Sequence, residues 1–147
     1  MVRVNLIDPL YLTDQHLIAE YNEILMLIAY LRRYPLDRDD PARIPQRFTL
    51  GKGHMVFFKN KVLYLKRRHD SLREEMTRRG FKANKTLSTE GFPPSMLNDW
   101  HPDEDDVRVV KARIIEKIRA KPWFYTYYRR RLSLEELIDL IKNATWS

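Results

Sequence analysis

The segment DQHLIAEYNEILMLIAYLRR, residues 14–33, carries the clearest structural signal in the chain. Its apolar side chains recur every three or four residues, the period of an α-helix with one buried face: Leu17, Ile18, Tyr21, Ile24, Leu25, Ile28 and Leu31. Thr13 can cap the start of this helix, and Pro35 opposes its continuation. The pattern therefore predicts a helix over residues 14–33.

Three further helices are predicted downstream. An apolar stripe indicates a second helix ending at Gly80, and its members are Val62, Leu65, His69, Leu72 and Met76. A third helix begins at the acidic run 103–106, which suits the positive end of a helix dipole, and ends before Pro122. Ser133 and Glu136 form a capping box for a short fourth helix that runs to about Asn143.

The connecting segments favour an all-α fold. Residues 35–53 and 83–103 are rich in proline and glycine and are predicted as loops. Only Met55–Phe58 looks like a short extended segment. We expect one domain over residues 1–147, with residues 133–147 as a C-terminal helical extension.

Composition excludes several classes of protein. The 147 residues include 27 Lys and Arg, 20 Asp and Glu and no cysteine, with a net charge of +7 and a pI near 9.7. The absence of cysteine excludes disulfides, zinc-thiolate sites and thiol nucleophiles. No apolar run reaches the length of about 20 residues that a spanning helix needs, so no membrane association is expected. The first residues do not look like a secretory signal, and the expected compartment is the cytoplasm.

The positive charge is concentrated in two blocks. Residues 52–85 hold 11 basic and 3 acidic residues, and residues 107–132 hold 9 basic and 1 acidic residue. Arg113, Lys117 and Lys121 recur every four residues and form a basic ridge on the third helix. Such blocks make a polyanionic partner plausible, although a solvated helix face is the plainer reading of either block alone.

Two groups of side chains could carry chemistry. His16, Glu20 and Glu23 fall close to one line along the first helix, although a structural charge network would explain part of this pattern. The segment PWFYTYY, residues 122–128, precedes three arginines, and rings beside cations can stack on unpaired bases. We expect most of these rings to close the core and about two to stay exposed.

Several familiar catalytic signatures are missing. The sequence has no P-loop, no GxGxxG, no HExxH and no Gly-x-Ser-x-Gly elbow. The four histidines, at positions 16, 54, 69 and 101, lack metal-ligand spacing. An enzyme built on this chain must therefore use a reactive group other than a thiol, a serine elbow or a metal.

Many positions together resemble the pyrimidine-dimer DNA glycosylases, the phage-type endonuclease V repair enzymes. The resemblance covers roughly residues 2–128 and lies in the following positions: Arg3, Asn5, Leu6, Asp14-Gln15-His16-Leu17, Ala19-Glu20-Tyr21, Glu23, Leu50-Gly51, Gly53-His54, Phe57-Phe58, Arg79-Gly80-Phe81, Arg113, Glu116-Lys117-Ile118, Pro122, Tyr125 and Tyr127-Tyr128. Residues 133–147 look like an extension beyond the phage form.

The resemblance implies a fold of three main helices whose N-terminal arm threads into the active site. It implies excision of one base of a cyclobutane pyrimidine dimer and strand cleavage by β-elimination, with no metal or organic cofactor. The partner is damaged double-stranded DNA, and a monomer is expected. The implied nucleophile is the α-amine of Val2, with Glu23 as the essential carboxylate. The implied DNA-binding residues are Arg3, Gln15, His16, Asn22, His54, Arg113, Lys117, Phe124 and Tyr125.

The chain departs from the family pattern at four of its positions. Val2 replaces the usual Thr, and its amine becomes free only after removal of Met1. Asn22 and Met26 replace two DNA-facing arginines, and Phe124 stands in place of a Trp. These changes leave two related alternatives open, an abasic-site lyase and a glycosylase for another lesion. A non-catalytic nucleic-acid-binding protein is the alternative from a different class, and a protein-interaction domain explains the pattern least well.

Overall fold

The computed structural model describes residues 2–35 and 43–147 and is all-helical over these ranges. Its α-helices are α1 (Asp14–Arg33), α2 (His54–Phe57), α3 (Val62–Arg78), α4 (Glu104–Ala120) and α5 (Leu134–Lys142). Short 3-10 turns lie at Pro9–Tyr11, Phe58–Asn60, Pro94–Met96 and Pro122–Phe124. Within the described ranges, the β-structure consists of two isolated bridges, Lys61 with Leu97 and Tyr127 with Arg130.

The structure confirms the predicted helices. Their ends depend on capping contacts between residues close in the sequence, which is why the sequence predicts them. The side chain of Thr13 accepts the His16 backbone N–H and starts α1 at Asp14. Asp103 and Asp106 form a reciprocal capping box at the start of α4. Ser133 and Glu136 do the same at the start of α5. The predicted loop segments 43–53 and 83–103 contain no α-helix, and the rest of the first loop, 36–42, lies outside the described residues.

The prediction of an extended segment at Met55–Phe58 is wrong. These residues continue from α2 into a 3-10 turn. Phe57 and Phe58 are adjacent yet 1% and 0% exposed. Neighbouring side chains of a strand point to opposite faces, whereas a helical turn lets both rings enter one core. An apolar run of four residues is too short for its periodicity to distinguish these states.

The helices pack in two pairs, and the chain before them includes an N-terminal arm, defined as residues 2–7. Helix α1 packs against α3, and α4 packs against α5. Within the arm, Val4 and Ile7 are fully buried. The extension is also tied to the rest of the fold, since the Asp8 N–H donates to the Thr145 carbonyl at 2.7 Å. No helix in the described part of the chain is long and apolar enough to cross a membrane.

Buried ion pairs tie the elements together. The Arg68 side chain on α3 makes two hydrogen bonds to Glu20 on α1, at 2.7 and 2.9 Å, and another to the Ile7 carbonyl. Arg79, just after α3, pairs with Asp14 and Glu75. Both arginines belong to the basic block 52–85, so part of that block stabilises the interior and is not available to a polyanion.

Candidate active site

The start of the arm lies against the third turn of α1. The Arg3 backbone N–H donates a hydrogen bond to Glu23 Oε1 at 3.0 Å. The Arg3 guanidinium donates from Nη1 to the Val2 carbonyl at 2.7 Å. Val2 itself is 7% exposed. The fold therefore brings two predicted site residues, Val2 and Arg3, next to the predicted essential carboxylate.

The surroundings of Glu23 raise the pKa of its carboxyl group. Burial is the largest cause, and the negative charge of Glu20 acts in the same direction. The Arg3 hydrogen bond and the positive charge of Arg113 oppose this increase without cancelling it. A carboxylate with a raised pKa is a stronger base than an exposed one, which suits a group that transfers protons.

Arg113 on α4 adds a second guanidinium to this site. Burial and the positive charge of Arg3 lower the pKa of Arg113, while Glu23 raises it. One turn further along α4, Lys117 is exposed. Two arginines around one carboxylate leave excess positive charge, and guanidinium groups bind phosphate oxygens in paired geometry. The site is therefore suited to a phosphate-bearing ligand.

His16 and Tyr125 lie on the side of the site where Arg113 is found. Their rings are stacked, with centroids 4.8 Å apart and planes 5° from parallel. The His16 Nδ1 is 2.7 Å from Thr13 Oγ1. Burial, with smaller contributions from Arg113 and Lys117, lowers the pKa of His16 to about 4. His16 is therefore neutral at pH 7, and one of its ring nitrogens is a hydrogen-bond acceptor.

The first turn of α1 holds the segment that carries the aromatic residues. Gln15 donates to Thr126 Oγ1 at 3.1 Å and accepts the Thr126 backbone N–H at 2.8 Å. Asp14 accepts the backbone N–H groups of Tyr128 and Arg129, at 3.2 and 2.8 Å. Both of these residues have positive φ angles, of 50° and 64°. Asp14 thus stabilises a backbone conformation that non-glycine residues seldom adopt.

Three large apolar side chains near the site are exposed. Trp123 and Phe124 are 65% and 54% exposed, whereas Tyr125 is 8% exposed, in line with the expectation that about two rings stay outside. On α1, Met26 is 61% exposed. The exposed Asn22 side chain donates to the Ile18 carbonyl of its own helix at 3.1 Å.

His54, predicted to bind DNA, is buried in the structure. It is 2% exposed, and its Nε2 accepts the Val4 backbone N–H at 3.1 Å. Its other ring nitrogen, Nδ1, lies 2.7 Å from the Thr49 carbonyl oxygen, so both nitrogens face backbone groups of the protein. Among residues 2–35 and 43–147, no group of three or more His, Asp or Glu side chains is arranged to hold a metal ion.

A protein-family model described as pyrimidine dimer DNA glycosylase matches residues 1–89. The chain belongs to the pyrimidine dimer DNA glycosylase family. This family comprises DNA glycosylases of ultraviolet-damage repair, so DNA is the class of molecule on which the family acts. The match contains the arm, α1, α2 and α3, and with them Val2, Arg3 and Glu23.

The rest of the site lies outside the matched residues of this glycosylase. Arg113, Lys117 and the segment 122–131 come from α4 and from the chain that follows it. The structure nonetheless brings Arg113 to Glu23 and Tyr125 to His16. Both halves of the chain therefore contribute to one continuous site.

Two residues at the candidate site, Asp14 and Thr126, are not predicted as site residues from the sequence. The sequence predicts Asp14 only as the first residue of a helix and as part of the family resemblance, and it indicates no role for Thr126. Their partners lie more than 100 positions away along the chain. The available signal was the unusual polar first turn of α1, where Asp14 and Gln15 precede the apolar stripe.

Proposed function

We propose that this glycosylase excises one base of a cyclobutane pyrimidine dimer in duplex DNA and then cuts the strand by β-elimination. The Val2 α-amine is the nucleophile. The observation that carries the proposal is the hydrogen bond from the Arg3 N–H to Glu23, because it joins the start of the chain to a carboxylate of raised pKa. The protein acts as a monomer in the cytoplasm, on the DNA of the nucleoid, without a metal or organic cofactor.

An α-amine suits this reaction because of its pKa. Its ordinary value is about 7.7–8.0, against about 10.4 for lysine, so on the order of a tenth of it is neutral at pH 7. Only the neutral form is a nucleophile. The positive charge of Arg3 favours the neutral amine, and Glu23 favours the ammonium form. Glu23 therefore contributes chiefly after the attack.

The proposed steps need only the enzyme, the DNA and water to balance in atoms and electrons. The amine nitrogen attacks the anomeric carbon, the N-glycosyl bond breaks, and the base leaves with the electron pair and takes up a proton. The nitrogen loses a proton and the sugar ring opens to an imine. Glu23 then accepts a proton from the adjacent sugar carbon, and the 3′ phosphate leaves. Water hydrolyses the imine and frees the amine.

The DNA-binding groups divide by chemistry. Arg3, Arg113 and Lys117 bind backbone phosphates, and the exposed ring of Phe124 stacks on bases near the lesion. Gln15 and His16 lie near the reacting sugar. A damaged base pair costs less to open than an intact one, which supplies part of the selectivity. Asn22 and Met26 provide no cation on their face of α1, so the DNA backbone is bound more weakly there. A glycosylase for a different lesion is therefore the second candidate function.

The amine is free at Val2 only if Met1 has been removed, and Met1 lies outside the described residues. Retention of Met1 would move the reactive nitrogen by one residue, up to about 3.6 Å. The N-terminal mass of the preparation must therefore be measured before any activity is interpreted.

The decisive experiment is borohydride trapping on duplexes that contain either a pyrimidine dimer or an abasic site. Covalent adducts with both duplexes are expected from protein that begins at Val2. Trapping on abasic DNA alone would leave a lyase and remove the dimer glycosylase. No adduct with either duplex would contradict both activities and favour a non-catalytic binding protein.

Glu23→Gln separates binding from chemistry in the same assay. The variant keeps a side-chain oxygen that can accept the Arg3 N–H but cannot act as a base. We expect strand cleavage to be abolished while the affinity for damaged DNA is retained, measured by gel cleavage and fluorescence anisotropy. Cleavage at the wild-type rate would show that the carboxylate is assigned incorrectly.

A further inference from the structure

His54 is a buried histidine whose two ring nitrogens are both engaged by backbone groups. Its Nε2 accepts the N–H of Val4 at 3.1 Å. Its Nδ1 lies 2.7 Å from the carbonyl oxygen of Thr49. The edges of the rings of Phe48 and Phe58 enclose the imidazole. The side chain therefore connects the loop before α2 with the N-terminal arm.

These two contacts define the protonation state of the ring. A backbone N–H can only donate, so Nε2 must be an unprotonated acceptor. A carbonyl can only accept, so Nδ1 must carry the hydrogen. Burial, together with the charges of Arg3 and Arg113, lowers the pKa of His54 to about 4, although the Thr49 bond acts in the opposite direction. The neutral form that the geometry requires is thus the form present at pH 7.

The hydrogen bond between Val4 and His54 lies next to the hydrogen bond that Arg3 makes with Glu23. The N–H of Arg3 is bonded to Glu23 on α1, and the next N–H along the chain is bonded to His54 on α2. Two consecutive amides of the arm are therefore held by side chains from two different helices. Val2 comes directly before this doubly held segment, so its backbone nitrogen has little freedom to move.

We propose that His54 is a positioning residue that fixes the arm so that the Val2 amine is held in the geometry of attack. This inference rests on the proposed function, since it assigns a task to His54 within the same reaction. His54 acts through the Val4 amide and contacts neither DNA nor the reacting atoms. A misplacement of about 1 Å can reduce the rate of a positioned reaction on the order of 100-fold, so a single arm contact can matter this much.

Two substitutions divide the functions of the imidazole. Glutamine is long enough to place a carbonyl oxygen near the position of Nε2, so His54→Gln can still accept the Val4 N–H. The shorter asparagine ends near the position of Nδ1, so His54→Asn can serve Thr49 but not Val4. His69→Gln is the matched control, because His69 is also fully buried and its Nε2 lies 3.0 Å from a backbone group of α1, the Tyr21 carbonyl.

The primary measurement is the single-turnover rate of imine trapping on an abasic duplex. We expect His54→Asn to lower this rate on the order of 10- to 100-fold, and His54→Gln to retain most of it. DNA affinity should be unchanged in both variants, because His54 is 2% exposed. Hydrogen exchange of the Val4 amide, measured by NMR without DNA, should accelerate in His54→Asn and remain slow in His54→Gln.

The outcomes distinguish this inference from the function on which it rests. If the wild-type protein forms no adduct, the proposed function fails and the inference fails with it. If the wild-type protein forms the adduct and His54→Asn forms it equally fast, only the positioning role is overturned. The positioning role would also be overturned if all three variants, His54→Asn, His54→Gln and His69→Gln, lost rate in proportion to their loss of stability. Such a result would show that general destabilisation lowers the rate.

Discussion

Replacing Arg79 with methionine should destabilise the protein far more than the same change at its neighbour Arg78. The Arg79 side chain is 0% exposed. It donates five hydrogen bonds, to two carboxylates and three carbonyls: Glu75 Oε2 at 2.8 Å, Asp14 Oδ1 at 3.0 Å, Leu12 O at 2.8 Å, Pro9 O at 3.1 Å and Leu10 O at 3.2 Å. Methionine preserves much of the side-chain volume but none of these bonds.

The expected magnitude follows from two buried carboxylates, since Asp14 loses its arginine partner and Glu75 keeps only Arg78. Removing one member of a buried ion pair costs about 3–5 kcal/mol, because the other charge stays buried and uncompensated. For a domain of this size, a loss of about 4 kcal/mol corresponds to a fall in Tm of about 10 °C. Arg78 pairs with the same Glu75 from a side chain that is 62% exposed, so Arg78→Met should leave the stability unchanged.

Urea unfolding followed by far-ultraviolet circular dichroism measures both variants directly. A third variant, Arg79→Met combined with Asp14→Asn and Glu75→Gln, should recover part of the loss because it removes the uncompensated charges. Equal urea midpoints for Arg79→Met and Arg78→Met would refute the reasoning. A triple variant less stable than Arg79→Met would show that lost packing, rather than buried charge, dominates the effect.

Three further outcomes are expected. Neutralising Arg113 and Lys117 together should lower DNA affinity and reduce the slope of log K against log salt by about 0.9 for each lost phosphate contact, and an unchanged slope would exclude contact with the backbone. Phe124→Ala should weaken binding to damaged DNA by about 1–3 kcal/mol if the ring stacks on a base, with an unchanged urea midpoint. Burial raises the pKa of Asp14 and Glu75, but their hydrogen bonds and Arg79 outweigh it and hold both pKa values below the ordinary range. Their contribution to stability is therefore complete above the unfolded-state pKa and lost as the pH falls through the lowered values, which acid titration of the urea midpoint should detect.

The helices could be predicted from the sequence because their ends depend on nearby residues. Thr13 and Pro35 bracket α1, and Asp103 caps α4 through a residue three positions away. Short-range rules of this kind are independent of the rest of the fold. The family resemblance could likewise be read from residues in order along the chain, and the matched segment 1–89 confirms it.

The interior charges could not be predicted, because their partners are distant in the sequence. Arg68 meets Glu20 across 48 positions, and Arg79 meets Asp14 across 65 positions. Counting charge by segments treats every cation as exposed, so it includes both arginines in the basic block 52–85 that predicts a polyanionic partner. The same limitation applied to His54, whose partner Val4 lies 50 positions away and has no side-chain feature that could have signalled the contact.

Helix α1 binds both of the segments that the proposed reaction uses, the aromatic segment 122–128 and the N-terminal arm. Its first turn binds the aromatic segment through Asp14 and Gln15, and its third turn binds the arm through Glu23. Glu23 lies nine positions after Asp14, which places these attachment points about 13.5 Å apart along a rigid helix. This distance is about four base steps of a DNA strand at 3.4 Å each. The proposed nucleophile and the aromatic rings therefore act on one short stretch of DNA. Because they are attached to α1 at different turns, separate mutations can disrupt lesion binding and the chemistry of the amine.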